Sequence, residues 1–446
     1  MRVSKGLAIY FVLLSFVTSV LAGKTVELIF TFWGTDLEAK VINEACTRFN
    51  KLHPDIKVLP MHIPTNYIEK LTAMIAAGTP PHVGYLYEPN VLDWAAKGIL
   101  YDLTEAIKQD PLLSNKLPEL YWKYDGGKKI AGITVAAEFM ITYYNKDLFD
   151  KAKVPYPPTK PEEWTWDKFV ETAKKLTFDN KGRRPGEPGF DPNNIVQYGA
   201  VIPLWWCPLI PLIWSNGGDI ADSTGTKPMI NSPETVEALQ KIYDLIYKEH
   251  AAAPPTISDA FPSTNIALQT GQVAMVIDGQ WAMQEAGEMV KEGSLRLGLA
   301  PLPYFKKPVT GVIGTPIVIF KDAVKDPEVL EAALKFHRFI QDPENVLPLI
   351  RCGLWQPTTI EWYTKEEYIK KWINPEIHPA EYKAAVIDYY PYARKYPVAY
   401  LKNSAEINTI FGQEMTRIFY GHEDIQKVCN EAAERLKPLL TGRYDM

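Results

Sequence analysis

The sequence predicts an α/β fold with mixed, mostly parallel sheets, and three observations carry that prediction. Short β-prone runs alternate with amphipathic helices from the first structured residues onward. Helix starts recur with capping residues ahead of a proline. No repeat, low-complexity tract or long charged run interrupts the alternation. At 446 residues, and about 100–200 residues per domain, the chain has room for two or three domains.

The first unit opens with Thr25-Val26-Glu27-Leu28-Ile29-Phe30-Thr31-Phe32, a β-prone run, and turns at Trp33-Gly34-Thr35-Asp36. A helix follows over 37–52, with Val41, Ile42, Ala45 and Phe49 on one face, and His53-Pro54 ends it. A second strand over 56–61 completes β–α–β. The spacing then predicts a helix over 67–77 stopped by Gly78-Thr79-Pro80-Pro81, a strand over 83–87, and a short helix over 91–97 closed by Gly98. Residues 131–144 read as extended, and 164–176 as a helix with Thr165 as its cap. The stretch 177–194, rich in Gly, Pro, Asn and Asp, is expected to be a surface excursion. Ser232-Pro233-Glu234 starts a helix that puts Val236, Leu239, Tyr243 and Ile246 on one face. Asp326-Pro327-Glu328 and Asp342-Pro343-Glu344 repeat that device, and 311–320 between the helix regions reads as a strand.

The N-terminus carries a different signal. Arg2 and Lys5 precede a nearly continuous apolar run from Leu7 to Val20, and Val20-Leu21-Ala22 offers small residues for cleavage. Residues 1–22 are therefore expected to be a secretory signal peptide. The run is shorter than the ~20 residues of a spanning helix; a leader retained as an anchor is the alternative. Export permits disulfides, but Cys46, Cys207, Cys352 and Cys429 are widely spaced and form no CxxC, and four free buried thiols are expected. None follows the leader closely, which points to a soluble periplasmic protein instead of a lipid-anchored one. A net charge of −5 argues against a nucleic-acid partner.

Motifs of catalysis and of cofactor binding are missing. No two histidines stand at the i, i+4 spacing of a zinc helix. There is no GxSxG and no GxxxxGK[ST], and Gly217-Gly218 lacks the context of a dinucleotide loop. No metal, no cofactor and no enzymatic activity are expected. Carboxylates are plentiful, and a secreted glycan-active enzyme stays open as a rival because composition alone does not exclude an acid–base pair.

Aromatic residues are in excess, with 12 Trp, 24 Tyr and 17 Phe, and some stand where an open α/β sheet binds ligands. Trp33 follows the first predicted strand; Tyr87-Glu88-Pro89-Asn90 follows the third. A flat aromatic face with polar groups at its edge suits a sugar ring, which has apolar C–H faces and a rim of hydroxyls.

Four further stretches carry a family resemblance. They are 138–149, which reads Glu-Phe-Met-Ile-Thr-Tyr-Tyr-Asn-Lys-Asp-Leu-Phe; Thr165-Trp166-Asp167-Lys168-Phe169; Asn216-Gly217-Gly218-Asp219 with the Ser232 helix start; and 271–282, from Gly271 to Ala282. In this order they resemble the extracellular solute-binding proteins of carbohydrate ABC importers, the family that contains maltose-binding protein. The resemblance runs from about Val26 to the C-terminal helices. It implies a two-lobed, periplasmic-binding-protein-like fold (type II) whose chain crosses between lobes near 135–139 and again near 297–303. The implied lobes are 24–136 with 300–343, and 138–298 with 344–446. The implied role is ligand capture by hinge closure, as a monomer, and delivery to ABC permease subunits in the membrane.

The resemblance also assigns candidates. Trp281 matches the family's ligand-stacking tryptophan, with core packing as the alternative. Glu138 matches a carboxylate that contacts sugar hydroxyls, with a hinge ion pair as the alternative. Asp278 stands where the family more often has Asn, and turn stabilisation competes there with ligand binding. Trp33, Glu88 and Asn90 are candidates from their places after strands. Two adjacent tryptophans, Trp205 and Trp206, cannot both face one side of an extended segment, and Trp206 is the preferred one. Trp355, Tyr390 and Arg394 complete the expected binding set. Because these candidates are aromatic and acidic, a neutral sugar is expected; a polyol, a glycerol-phosphate-like solute and a polyamine are the alternatives.

Overall fold

The computed structural model describes residues 25–446, and the predicted leader lies outside the described residues. Thirteen strands form two mixed sheets. The first six are β1 (Val26–Phe32), β2 (Ile56–His62), β3 (Val83–Tyr85), β4 (Tyr121–Tyr124), β5 (Lys129–Thr134) and β6 (Glu138–Asn145). They are followed by β7 (Phe178–Asp179), β8 (Ile195–Val201), β9 (Val273–Gly279), β10 (Leu297–Ala300), β11 (Thr310–Ile313), β12 (Pro316–Ile319) and β13 (Ala393–Lys395). The first sheet has the order β2-β1-β3-β12-β5-β4; the second has the order β13-β11-β6-β9-β8-β7, with β10 also on β6.

The β–α–β units produce the parallel pairs. β1 lies parallel to β2, Val26 opposite Ile56, and parallel to β3. The helix between β1 and β2 (Asp36–Leu52) starts under Thr35, whose side chain accepts the Glu38 N–H, and it buries Val41, Ile42, Ala45 and Phe49. β8 and β9, and β11 and β13, are the other parallel pairs. Antiparallel pairs belong to β6, β10, β11 and β12, beside the chain crossings, and to edge strands β4 and β7.

β6 is buried along its whole length because both of its faces are covered. Phe139, Ile141 and Tyr143 join one apolar cluster with Phe30, Tyr85 and Ile317 of the first sheet; Met140 and Tyr144 join another with Phe169, Ile213 and Ile418. This alternation is the period of two that a strand imposes.

The return crossing differs from expectation. Residues 311–320, read as one strand, are broken at Gly314 into β11, in the second sheet, and β12, in the first. Gly314 has φ 138, and a Cβ there would come within 1.8 Å of the Ala136 carbonyl oxygen. Glycine thus permits the turn and lets the two crossing segments touch. The crossing therefore stands at 314–315, and β10 and β11, expected in the first lobe or at its boundary, pair with β6 in the second sheet. The segment after 344, expected in the second lobe, begins on the first sheet's side. Leu117 N–H donates to the Thr358 carbonyl, Lys116 Nζ donates to Thr358 Oγ1, and Leu349 and Trp362 lie in the first sheet's cluster. Asp342 also caps a turn instead of a helix, and the helix starts at Leu347. The other capping signals act as read: Thr165, Ser232 and Asp326 each accept a backbone N–H at their helix start. Among the described residues no cysteine is paired, and Cys352 is half-buried where full burial was expected.

Candidate ligand-binding cleft

Between the sheets lies an inner chamber of about 250 Å³, continuous through shared walls with an outer groove of about 860 Å³. Strand ends build it. Trp33 follows β1, and Glu38 projects from the first turn of the next helix. Tyr87, Glu88 and Asn90 stand where β3 gives way to the helix Glu88–Ala96. These are carboxyl ends of parallel strands, where α/β sheets leave a crevice. Opposite them, Glu138 opens β6, Trp205 and Trp206 start the helix Trp206–Ser215, and Trp281 sits in the 3₁₀ turn after β9. Leu354 and Trp355 close the floor.

The aromatic rings are fixed by their neighbours. Trp33 meets Tyr67 and Tyr85 edge-on at 5.0 Å each, so its position is locked while its ring stays half-buried. Trp205 lies 5.7 Å from Trp206 and 6.0 Å from Trp281 between ring centroids. Gly279 lets Trp281 lie against the backbone: a Cβ at that position would stand 2.1 Å from the indole ring. Trp355 borders the chamber but is 1 % exposed, so it serves chiefly as core.

Three carboxyl groups open on the chamber. Glu38 accepts from the Tyr85 hydroxyl at 3.1 Å, and burial pushes its carboxyl up to about 7 against that bond. Burial also pushes Glu88 up to about 7, opposed only by its own backbone N–H. Glu138 is held well above the usual carboxylate range by burial, and then by the nearby charges of Glu88 and Glu38. No Lys, Arg or His stands among the described lining residues of either chamber.

The structure thus brings together Trp33, Glu88, Asn90, Glu138, Trp206, Trp281 and Trp355 of the predicted set. Three predicted residues lie elsewhere. Asp278 turns away to accept from Thr264 Oγ1 and from the Gly279 N–H, each at 2.7 Å; burial raises its carboxyl to about 6. It does not line the cleft. Tyr390 packs on Tyr363 at 5.0 Å, and Arg394 is ion-paired to Asp219 with its guanidinium 4.3 Å over the Trp214 ring. Both are spent on packing beside the second sheet's edge strand.

Sequence reasoning missed Glu38, Tyr87, Trp205 and Gln284. Glu38 was legible: it falls three and four residues before Val41 and Ile42, on the buried helix face, where a lone carboxylate needs a reason. For the tryptophan pair the extended backbone ends at Trp205, and the helix begins at Trp206. Trp205 is the extended N-cap and Trp206 the first helical residue, so the chain turns between them and both line the chamber; Trp205, 40 % exposed, is the more open of the two.

Chemically, this arrangement offers flat apolar faces and carboxyl acceptors of which the Glu138 side chain has no protein donor among the described residues. Among the described residues no group of three or more His, Cys, Asp or Glu is arranged to hold a metal ion.

Comparison with known proteins agrees with this fold. Residues 34–346 match the family described as bacterial extracellular solute-binding protein. The sn-glycerol-3-phosphate-binding periplasmic protein of Pectobacterium atrosepticum is 24% identical over 430 residues, 90% of this chain and 88% of that protein. An ABC substrate-binding protein of Listeria monocytogenes, solved with cycloalternan, is 26% identical and superposes with a TM-score of 0.77 over 93% of this chain and 98% of its own. Maltose-bound MalE3 of Thermotoga maritima, 23% identical, gives a TM-score of 0.73 over 93% of this chain and 100% of its own.

Proposed function

This chain belongs to the bacterial extracellular solute-binding protein family, the capture components of ABC importers, and from that premise we propose that its ligand is a carbohydrate held in the inter-sheet cleft. The observation that carries the reading is the inner chamber, where Trp33 on one side faces Trp205, Trp206 and Trp281 on the other, with carboxyl groups between them. Aromatic faces take the C–H faces of a sugar ring, and the carboxylates accept from its hydroxyls. The relative solved with cycloalternan and the one solved with maltose support a saccharide.

The two sheets act as lobes. A ligand touching both walls favours the closed arrangement over the open one, because only there does it gain all of its contacts. Crossings at 135–137 and at Gly314 serve as the hinge, and the closed form docks on permease subunits. Residues 1–22 direct export, the protein works as a periplasmic monomer, and the ligand leaves unchanged. The inner chamber takes one ring, and the outer groove takes further units of an oligosaccharide. The glycerol-phosphate-binding relative suggests a phosphorylated ligand. A phosphate in this chamber would meet Glu38, Glu88 and Glu138 with no basic side chain among the described lining residues, which favours an unphosphorylated solute.

The test is the melting temperature of the purified protein against mono- and oligosaccharides, polyols, polyamines and glycerol 3-phosphate. A saccharide at 100 times its dissociation constant stabilises the fold by about 2.7 kcal/mol, with the sugar recovered intact. A shift with glycerol 3-phosphate alone, or consumption of the sugar, contradicts the reading.

A further inference from the structure

Outside the chamber, buried carboxylates are satisfied by the protein itself: Asp278 accepts from Thr264 Oγ1 and the Gly279 N–H, and two others are ion-paired. Glu414, with a fully buried side chain, is paired to Arg417 at 2.7 Å and also to Arg435. Asp179, equally buried, is paired to Arg183 at 2.7 Å. Glu138 and Glu38 break that rule, and the half-buried Glu88 stands beside them. Glu138 is 8% exposed, opens into the inner chamber, and has no hydrogen-bonding or cationic partner among the described residues. Glu38, 7% exposed, has only the Tyr85 hydroxyl. Glu88 shares the chamber with them. Buried charge without a counter-charge is costly, and like charges in one small chamber repel. Burial accordingly favours the protonated form of these carboxyls, and a neutral sugar supplies hydroxyl donors but no positive charge that would let them ionise. An ammonium group supplies donors and the missing positive charge, and the indole faces around it attract cations as well.

We propose that the chamber is completed by a saccharide bearing a protonated amino group, whose ammonium is received by Glu138 between Glu38 and Glu88. This rests on the carbohydrate reading and narrows it to amino sugars. Paired saccharides that differ only at one substituent separate the two claims: glucosamine with glucose, galactosamine with galactose, and the glucosamine disaccharide with cellobiose, together with the N-acetylated forms. Calorimetric titration of the purified protein at pH 7 is expected to give at least one amino sugar binding 10-fold or more tighter than both its hydroxyl and its N-acetyl counterparts. Glu138→Gln is expected to reduce that preference to within about threefold, because the amino sugar loses far more affinity than its hydroxyl counterpart, and Glu88→Gln to reduce it in part. Circular dichroism confirms that the variants fold. Equal or tighter binding of the neutral partners overturns the amino-sugar proposal and leaves carbohydrate capture standing. Binding of putrescine or spermidine with no saccharide binding overturns both.

Discussion

The helix Glu88–Ala96 has ends in two different chemical states. Its first residue, Glu88, opens on the cleft with no partner but its own backbone N–H. Five residues on, Asp93 accepts from the Tyr444 hydroxyl at 2.6 Å, in a seam where the C-terminal segment ties the two halves of the chain together. In that seam several polar groups are paired within the protein. Tyr444 O accepts from Gly126 N–H, Gly442 O from Lys402 N–H, and Arg443 pairs with Asp445 while lying over the Tyr400 ring. Ser404 Oγ donates to the Pro89 carbonyl nearby. These seam groups have protein partners, whereas the Glu138 side chain in the cleft has none among the described residues. Unsatisfied buried acceptors in one region and saturated ones in the other are what separate a binding site from a structural joint.

Substitutions in the two regions should therefore separate affinity from stability. The largest effect is expected from Trp281→Ala. Losing a stacking face lowers saccharide affinity by about 30-fold, near 2 kcal/mol, with a melting shift of only a few degrees because the ring is half-buried. Unchanged affinity by calorimetry would break the contrast. Next comes Gly279→Ala, whose new methyl would stand 2.1 Å from the indole; displacing the ring should weaken binding by about 10-fold, read in the same titration. In the seam, Tyr444→Phe removes a hydrogen bond to a charged group, costing roughly 1.5–3 kcal/mol of stability, while affinity stays within about threefold. Denaturant titration and calorimetry together read both numbers.

The smallest effect sharpens the comparison through pH. Glu38 has a carboxyl raised from 4.5 to about 7 by burial. A carboxyl raised on folding contributes stability that is fully present below its unfolded value and is lost as pH rises through its folded value. Glu38→Gln removes that loss, so the variant should melt higher than the parent at pH 8 and equally at pH 4.5. A difference that is the same at both values would mean that the carboxylate is not desolvated in the free protein.

Much of this was legible before any coordinates. Periodicity over 37–52 and the capping residues Thr165, Ser232 and Asp326 determined helices because those signals are local. Trp33, Glu88 and Asn90 were legible as residues that follow strands, and Glu138 and Trp281 through the family resemblance. The rest depended on tertiary facts. Whether 311–320 is one strand or two turns on Gly314 meeting Ala136, a contact between segments distant in sequence. Asp278 has the right place in sequence for the cleft, yet Thr264 captures it from another helix. Arg394 is taken by Asp219 and Trp214, neither adjacent in sequence. Glu38 was readable as a charged residue on an apolar helix face, but only the chamber explains it.

The contrast between cleft and seam is tested most directly by amide hydrogen exchange, with and without the saccharide that gives the largest melting shift. Slower exchange on binding is expected at 33–38, 87–92, 205–209 and 279–283, with 440–446 unchanged. Protection confined to the C-terminal seam, or absent from the segments around Trp33 and Trp281, would contradict the account.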